Sequence, residues 1–460
     1  MTETKEPRSL SRRDFLKLAG VGATGVILAG CAPPSTPEVV QETVVPTAAT
    51  QPVTISCWWG NWGEYYNNLM KAVGDDFTKE AAPNITVEWT FADEWIQKLQ
   101  AAVAAGTPPD TCYASDRVVD LAQQGALLAL DERLAQAGMK GQDFVPAIWD
   151  MALFEGKPYG LPGAADAKMV IYSKDVYRDI GLDPAAPPKS LDEFKEQALK
   201  CLTFKDDGSI DRIGYNLVYF EMEYFVAQYG GTWYDPEQKK VTANSPETVS
   251  CYEWMQDYVK QCGYDQMKAW SDASPGVYGE NSAFSQGKQG MFLDGFWVYS
   301  ALDDFAPDTD YGVAYFPTRD GSVEARNNYY TGGWLMAIPV GAKHVEEGWQ
   351  FLKYGFIDNA WKMACHTLNG CCVIAQMEQM DQCLLEQIGQ DNRYAPYIAV
   401  ANDTLRTCHK HWPTVPGAGF YWDEFLKATE YVMRGQKAPQ EALDELTEVV
   451  QAEMDRLSSQ

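Results

Sequence analysis

Indole rings and charged groups cluster where short apolar runs end. Residues 58–62 read Trp-Trp-Gly-Asn-Trp, Ser115-Asp116-Arg117 follows another such run, and Asp166 follows a third. Tyr219 and Phe220 precede Glu221 and Glu223, while Trp297 closes Met291-Phe-Leu-Asp-Gly-Phe-Trp. Gly333-Trp334 and Tyr421-Trp422 add further rings. An indole face covers apolar C–H surface. Carboxylates, amides and guanidinium take hydroxyls, and bidentate groups such as Asp116 and Arg117 fix orientation. Aromatic excess of this kind suits a surface that stacks against flat or ring-shaped ligands. A hydroxyl matched by a buried polar group is strongly discriminated, because losing it strands that group.

Each group also has a plainer reading. Trp58, Trp59 and Trp62 could pack in a core, but a strand cannot turn all of them to one side, so at least one is exposed. Asp116 and Arg117 could be a surface ion pair or a helix cap. Trp297 could be core, and Trp334 could support a hinge. Glu221 and Glu223 lie on opposite faces of an extended segment, so only one would face a ligand. Asp166 could be a solvated turn.

A rival chemistry is glycoside hydrolysis by paired carboxylates such as Glu221 and Asp294. It needs two carboxyl groups about 5–5.5 Å or about 6.5–9.5 Å apart. A chain this acidic supplies many accidental pairs. No Gly-x-Ser-x-Gly, His-Glu-x-x-His or nucleotide-binding loop motif is present to suggest other catalysis. Cys408-His409-Lys-His411 lacks a second cysteine at zinc spacing, so it reads as a loop or disulfide segment. Asp206-Asp-Gly-Ser-Ile-Asp211 lacks the twelve-residue calcium pattern and reads as a turn. No metal and no cofactor is expected.

The elements that must position these residues follow from periodicity. Val53–Trp59, Ile85–Phe91 and Asp110–Ser115 read as strands, with helices over Glu64–Ala81 and Asp93–Ala105 between them. That alternation implies a parallel sheet, with ligands beyond the carboxyl ends of its strands. Further on, Leu191–Leu202 reads as a helix opened by a Ser190/Glu193 capping box. Ile213–Val218, Gln289–Trp297 and Leu335–Val340 read as strands or strand-turns, and Val249–Gln261 and Val345–Tyr354 as helices. The last helix, Ala438–Leu457, carries a Leu443, Leu446, Val450, Met454 stripe that reads as core.

The chain has 460 residues, enough for two or three domains, and is 46% hydrophobic and 22% charged, as a globular protein is. A net charge of −27 excludes a general nucleic-acid binder. Ser11-Arg-Arg-Asp-Phe-Leu16 precedes an apolar run, Leu16–Gly30, that is too short for a membrane span. The run ends Leu28-Ala-Gly-Cys31, which resembles a bacterial lipoprotein cleavage site, so residues 1–30 read as a twin-arginine signal peptide and Cys31 as the lipidated residue. Residues 31–52, rich in Pro and Thr, read as a flexible tether. Ten cysteines remain, and an even set outside the cytoplasm suggests disulfides. Cys251 with Cys262, and Cys365 with Cys371, are candidate local pairs.

The body of the chain resembles the extracellular solute-binding proteins of ABC importers, carbohydrate cluster, of the maltose-binding type. The resemblance rests on Ala101-Ala-Val-Ala-Ala-Gly-Thr-Pro-Pro-Asp, Glu155-Gly-Lys-Pro-Tyr-Gly-Leu-Pro, Val170-Ile-Tyr-Ser-Lys-Asp-Val-Tyr, Pro188-Lys-Ser-Leu-Asp-Glu-Phe, Phe284-Ser-Gln-Gly-Lys-Gln-Gly-Met-Phe and Gly332-Gly-Trp-Leu-Met-Ala-Ile-Pro, in that order. It implies an α/β fold of two lobes, each a mostly parallel sheet flanked by helices, with hinge crossovers and a ligand cleft between. The implied lobes are 53–162 with 332–377, and 163–331 with 378–460. It implies a ligand site at Trp58, Trp59, Asn61, Trp62, Ser115, Asp116, Arg117, Asp166, Tyr219, Glu221, Glu223, Trp297, Gly333, Trp334 and either Tyr421 or Trp422. It also implies a monomeric, lipid-anchored receptor that delivers a neutral sugar to permease subunits, without chemistry. A non-sugar solute, such as a glycerol phosphodiester or a peptide, is the other ligand class.

Overall fold

The computed structural model describes residues 51–459, apart from 219–220, 275–280, 296, 300–301 and 303–305. Cys31, the twin-arginine segment and Tyr219 lie outside the described residues.

The opening alternation is present: β1 (Val53–Gly60), α1 (Glu64–Glu80), β2 (Ile85–Ala92), α2 (Trp95–Ala104) and β3 (Thr111–Tyr113). Ile55, Cys57 and Trp59 alternate along β1 and are all buried, the period of a strand with one face on a core. Met70, Val73 and Phe77 do the same at helical spacing on α1. The helices α3 (Val118–Gln123) and α4 (Pro146–Met151) lead to β4 (Leu161–Ala165), which passes almost directly into β5 (Met169–Ser173).

The helix α5 (Leu191–Cys201) opens on the expected capping box, with the Glu193 N–H donating to Ser190 Oγ at 3.1 Å. It is followed by α6 (Met222–Gln228), α7 (Pro246–Cys262), β6 (Met291–Asp294) and β7 (Tyr311–Tyr315). The chain returns through β8 (Gly333–Ala337), α8 (Val345–Lys353), α9 (Ala360–Thr367) and β9 (Gly370–Cys371). Helices α10 (Met377–Ile388), α11 (Ala395–Thr407), α12 (Ala418–Met433) and α13 (Pro439–Ser458) complete it.

Six strands form one sheet in the order β9-β4-β8-β3-β1-β2. β1 is parallel to β2 and β3, whereas β8 is antiparallel to both β3 and β4. A second sheet, β6-β5-β7, is antiparallel throughout. In the first sheet the antiparallel pairings, β9 with β4, β4 with β8 and β8 with β3, outnumber the two parallel ones, and the second sheet has no parallel pairing, so the expectation of a mostly parallel sheet in each half needs correcting for both. The strand expected over 213–218 is reduced to a bridge between Ile213 and Gln289. The reason is a side chain distant in sequence. The Tyr258 hydroxyl donates to the Tyr215 carbonyl at 2.6 Å and accepts from the Tyr215 N–H at 3.2 Å. One side chain thus takes the backbone groups that a neighbouring strand would need.

Two hydrophobic clusters underlie the sheets, and β5 faces both. Met169 and Ile171 belong to the first, Val170 and Tyr172 to the second. Met380 and Leu384 of α10, Ile398 of α11 and Tyr394 just before it join the first cluster, and the α13 stripe joins the second. Where the chain passes between the sheets, separate segments lie side by side. The Asp166 N–H donates to the Gly332 carbonyl at 2.9 Å, the Thr331 hydroxyl to the Asp166 carbonyl at 2.8 Å, and the Thr331 N–H to the Lys410 carbonyl at 2.9 Å.

One disulfide, Cys365–Cys383, ties α9 to α10 with a Cα separation of 6.1 Å. Both expected local pairs are corrected by this finding. Cys251 and Cys262 are buried and free at the two ends of one stretch of α7. At 1.5 Å rise per residue they stand about 16 Å apart, beyond the reach of a disulfide. Cys371 is likewise free. No helix among the described residues is long and apolar enough to cross a membrane.

Candidate functional site

The site is built around the short link between β4 and β5. Asp166 and Lys168 interrupt a run of buried residues there. The Lys168 ammonium meets Glu221 Oε1 at 2.8 Å, with both side chains largely buried. The Tyr215 hydroxyl donates to the other Glu221 oxygen at 2.9 Å. The ammonium also lies over two rings, 5.7 Å from the centroid of Trp297 and 6.0 Å from that of Tyr224. Tyr329 clamps the backbone, its hydroxyl donating to the Lys168 carbonyl at 3.0 Å.

Backbone geometry aims Glu221 into this cluster. It is left-handed, with φ of 81°, immediately before α6. Ser115, another expected site residue, is also left-handed, with φ of 49°. Such conformations cost on the order of 1–3 kcal/mol in residues other than glycine and persist where the surroundings enforce them.

The charges are unequal. Burial alone would lower the Lys168 pKa, but the Glu221, Asp294 and Asp166 carboxylates outweigh it and hold the ammonium above its ordinary value. Burial raises the Asp166 carboxyl, opposed by the Lys168 charge. Burial, reinforced by the Glu221 charge, raises Glu223 to about 7. Among the described residues Glu223 Oε2 has no hydrogen-bond partner. Burial and the Glu221 charge raise Tyr215 as well, so it stays a donor.

An aromatic wall adjoins the charges. Trp62 lies against Trp334 with ring centroids 5.6 Å apart, and edge-on to Tyr113 at 5.2 Å. It is 38% exposed and forms the outer ring of the group. Trp334 connects the wall to Asp166. Gly333 pairs with Ala165 across β8 and β4, and a Cβ on Gly332 would stand 3.3 Å from Asp166 Oδ2.

The structure thus brings Asp166, Glu221, Glu223, Trp297, Trp62 and Trp334 to one region. Other expected residues have different roles. Trp59 is fully buried, stacked on Tyr113 at 5.0 Å and edge-on to Trp334 at 5.2 Å, so it supports the wall from beneath and offers no face. Tyr421 is fully buried too, its hydroxyl donating to the Trp233 carbonyl at 2.7 Å; only Trp422 remains partly open. Gly333 is required by packing, since a Cβ there would lie 2.2 Å from the Ala164 carbonyl oxygen.

Asn61 holds the loop after β1, donating to Asp93 at 2.9 Å and accepting from Asn67 at 2.9 Å. Trp58 faces away from Trp59 along β1 and is half-buried against the first cluster. Arg117 rests on the start of α12, where a Cβ on Gly419 would stand 2.1 Å from its Nη1, and lies 3.8 Å from Asp120. The Asp116 backbone forms part of the turn Ser115–Arg117; its side chain lies outside the described residues.

Sequence reasoning missed Lys168, Tyr215 and Tyr224. Lys168 carried a signal: a cation two residues beyond an acid, inside an otherwise apolar run. Among the described residues no group of His, Cys, Asp or Glu could hold a metal ion. The arrangement can accept donors at its carboxylates and cover a ring's apolar face.

The chain as a whole is similar to known proteins. A binding protein of Brucella abortus (strain 2308) is 26% identical over 393 residues, spanning 83% of this chain and 87% of that one. The maltotriose-binding protein of Pyrococcus abyssi is 24% identical over 303 residues, 64% of this chain and 61% of that one. An ABC substrate-binding protein from Listeria monocytogenes, solved in complex with cycloalternan, superposes with a TM-score of 0.70 at 18% identity, covering 88% of this chain and 100% of that one. That solved neighbour has the two-lobe periplasmic-binding-protein fold, and this chain shares it. The profile of the bacterial extracellular solute-binding proteins matches residues 59–356, and the chain belongs to that family.

Proposed function

We propose that the protein is the exported receptor of an ABC importer, capturing a sugar or oligosaccharide between its lobes. The observation that carries this reading is the Lys168–Glu221 pair against the Trp297 ring at the link between β4 and β5, with the Trp62–Trp334 ring pair at the start of β8, just after Gly332, which stands beside Asp166. Rings for C–H faces and charged groups for hydroxyls are what a sugar requires. The sugars for which its relatives are named fit that chemistry. The lobes are built on the sheet β9-β4-β8-β3-β1-β2 and on β6-β5-β7, with α10 tied to the first through the Cys365–Cys383 bridge rather than to the second as a division at 377/378 would have it, and the side-by-side segments at Asp166, Thr331 and Lys410 serve as the hinge. Closure about them presents the loaded form to the permease. The receptor works as a monomer, performs no chemistry, and is held at the outer membrane surface by lipid on Cys31.

The test is titration of residues 53–460 with a panel of mono- and oligosaccharides, followed by tryptophan fluorescence and calorimetry. Saturable one-to-one binding with the sugar recovered intact is the expected result. Cleavage of the bound sugar would make the protein a hydrolase, and absence of binding across the panel would move the ligand to another class of solute.

A further inference from the structure

The two lobes touch at a place that involves none of the hinge segments. On one side stands α3, directly after the turn Ser115–Arg117, with its Val118 and Leu121 buried in the first cluster. On the other stands the start of α12, a helix anchored in the second cluster through Tyr421 and Phe425. Two bonds tie α12 to α7: Thr429 shares a hydrogen bond with the Tyr252 hydroxyl at 2.7 Å, and the Val432 carbonyl accepts from Gln256 at 2.7 Å. Between the two sides, the Gly417 N–H donates to Asp120 Oδ1 at 3.0 Å, across 297 residues of chain. Arg117 Nη1 lies 3.8 Å from the other Asp120 oxygen, and both side chains are mostly shielded from solvent.

The end of α12 is made to receive this carboxylate. A helix of 16 residues presents free N–H groups and a partial positive charge at its N-terminus. Its capping residue is Gly417, left-handed with φ of 81°, and no side chain of its own caps it. The first turn holds no acidic residue. The anion comes from the other lobe instead. A second glycine makes room for it. The three atoms nearest a Cβ placed at Gly419 all belong to the Arg117 guanidinium, the closest at 2.1 Å. Glycine inside a helix is unfavourable relative to alanine, and here it is what lets Arg117 seat.

We propose that Asp120 and Arg117 form a latch that holds the lobes closed. Asp120 caps α12 only when the lobes are together, and Arg117 seats on Gly419 beside it. This rests on the receptor reading and adds positioning residues that act on the sugar site without touching the sugar. A lobe contact away from the hinge is made and broken as one lobe rotates against the other. The latch stabilises the closed form whichever sugar is bound. It therefore scales apparent affinity through the closed fraction, by one factor for every ligand. A residue in contact with the sugar would change the preference among sugars instead.

The experiment uses residues 53–460 carrying Lys98→Cys and Glu253→Cys, exposed positions on α2 and α7, labelled for energy transfer between the lobes. The variants are Asp120→Ala and, from the opposite side, Gly419→Leu, each checked for folding by circular dichroism. Gly419→Leu decides alone if Asp120→Ala does not fold. Each should shift the ligand-free protein toward the longer distance. Each should also weaken every sugar that binds by one common factor, about three- to tenfold. Asp120→Asn keeps an acceptor and loses the charge, so its effect should fall between those of Asp120→Ala and the parent. If the folded variants keep both the distance and the affinities, the latch is overturned and the receptor reading stands. If the loss differs from sugar to sugar, these residues act on the ligand directly and the latch is likewise overturned. If no sugar binds, the receptor reading fails, and the ligand-free distance still decides the latch.

Discussion

The Lys168 ammonium and the Glu221 carboxylate meet at 2.8 Å although 53 residues separate them in the chain. The pair joins the link between β4 and β5 to the start of α6. It is largely buried, so its two halves depend on each other. Removing one partner leaves a buried charge, at a cost of about 3–5 kcal/mol when burial is complete. Lys168→Met should therefore destabilise the fold by about 2–4 kcal/mol in urea unfolding, because some solvent reaches the pair. The double variant Lys168→Met/Glu221→Leu should recover much of that loss. Equal destabilisation in both would mean the pair is not coupled.

Trp59 and Trp62 should separate stability from binding. Trp59→Ala removes a fully buried indole and should cost about 3–5 kcal/mol in unfolding. Trp62→Ala removes the outer ring, should cost under about 1.5 kcal/mol, and should weaken sugar binding. Trp297→Ala should lower affinity by about tenfold with folding intact. Unchanged affinity in a folded Trp297→Ala protein would remove that ring from the site.

Glu223 makes stability depend on pH. Its carboxyl is raised from the ordinary glutamate range to about 7. Between about pH 4.5 and about pH 7 the folded state thus holds a proton that the unfolded state has released. Stability should be fullest below that window and fall as pH rises through it, by about 3 kcal/mol in total. Glu223→Gln should flatten this decline. Urea unfolding of both proteins across pH 4.5–8 measures the difference, and parallel curves would show that Glu223 is not the group responsible.

The Cys365–Cys383 bridge closes a loop of 18 residues by sequence separation. A loop of that size stabilises by about 3 kcal/mol. Reduction, or the double variant Cys365→Ser/Cys383→Ser, should lower the melting temperature by several degrees. The eight free cysteines among the described residues are all buried. They should therefore stay unreactive to a thiol reagent until the protein unfolds.

Much of this protein was determined locally, by the sequence alone. β1, α1, β2, the Ser190 capping box and the α13 stripe follow from period 2, period 3.6 and side-chain chemistry within a few residues. The family follows from ordered motifs spread along the chain. Which rings face a ligand was not determined that way. Trp59 and Trp62 have the same side chain three residues apart, and only the packing of Tyr113 and Trp334 buries one and leaves the other open. Tyr421 could not be told from Trp422 until Trp233 claimed its hydroxyl.

The strand expected over 213–218 is absent because Tyr258, distant in sequence, satisfies the backbone of Tyr215. The cysteine pairing and the Lys168–Glu221 contact share that dependence on partners brought close by folding. Periodicity reports a residue's own face. Charge balance, burial and hydrogen-bond satisfaction belong to pairs and clusters, and only the tertiary structure decides which residues form them.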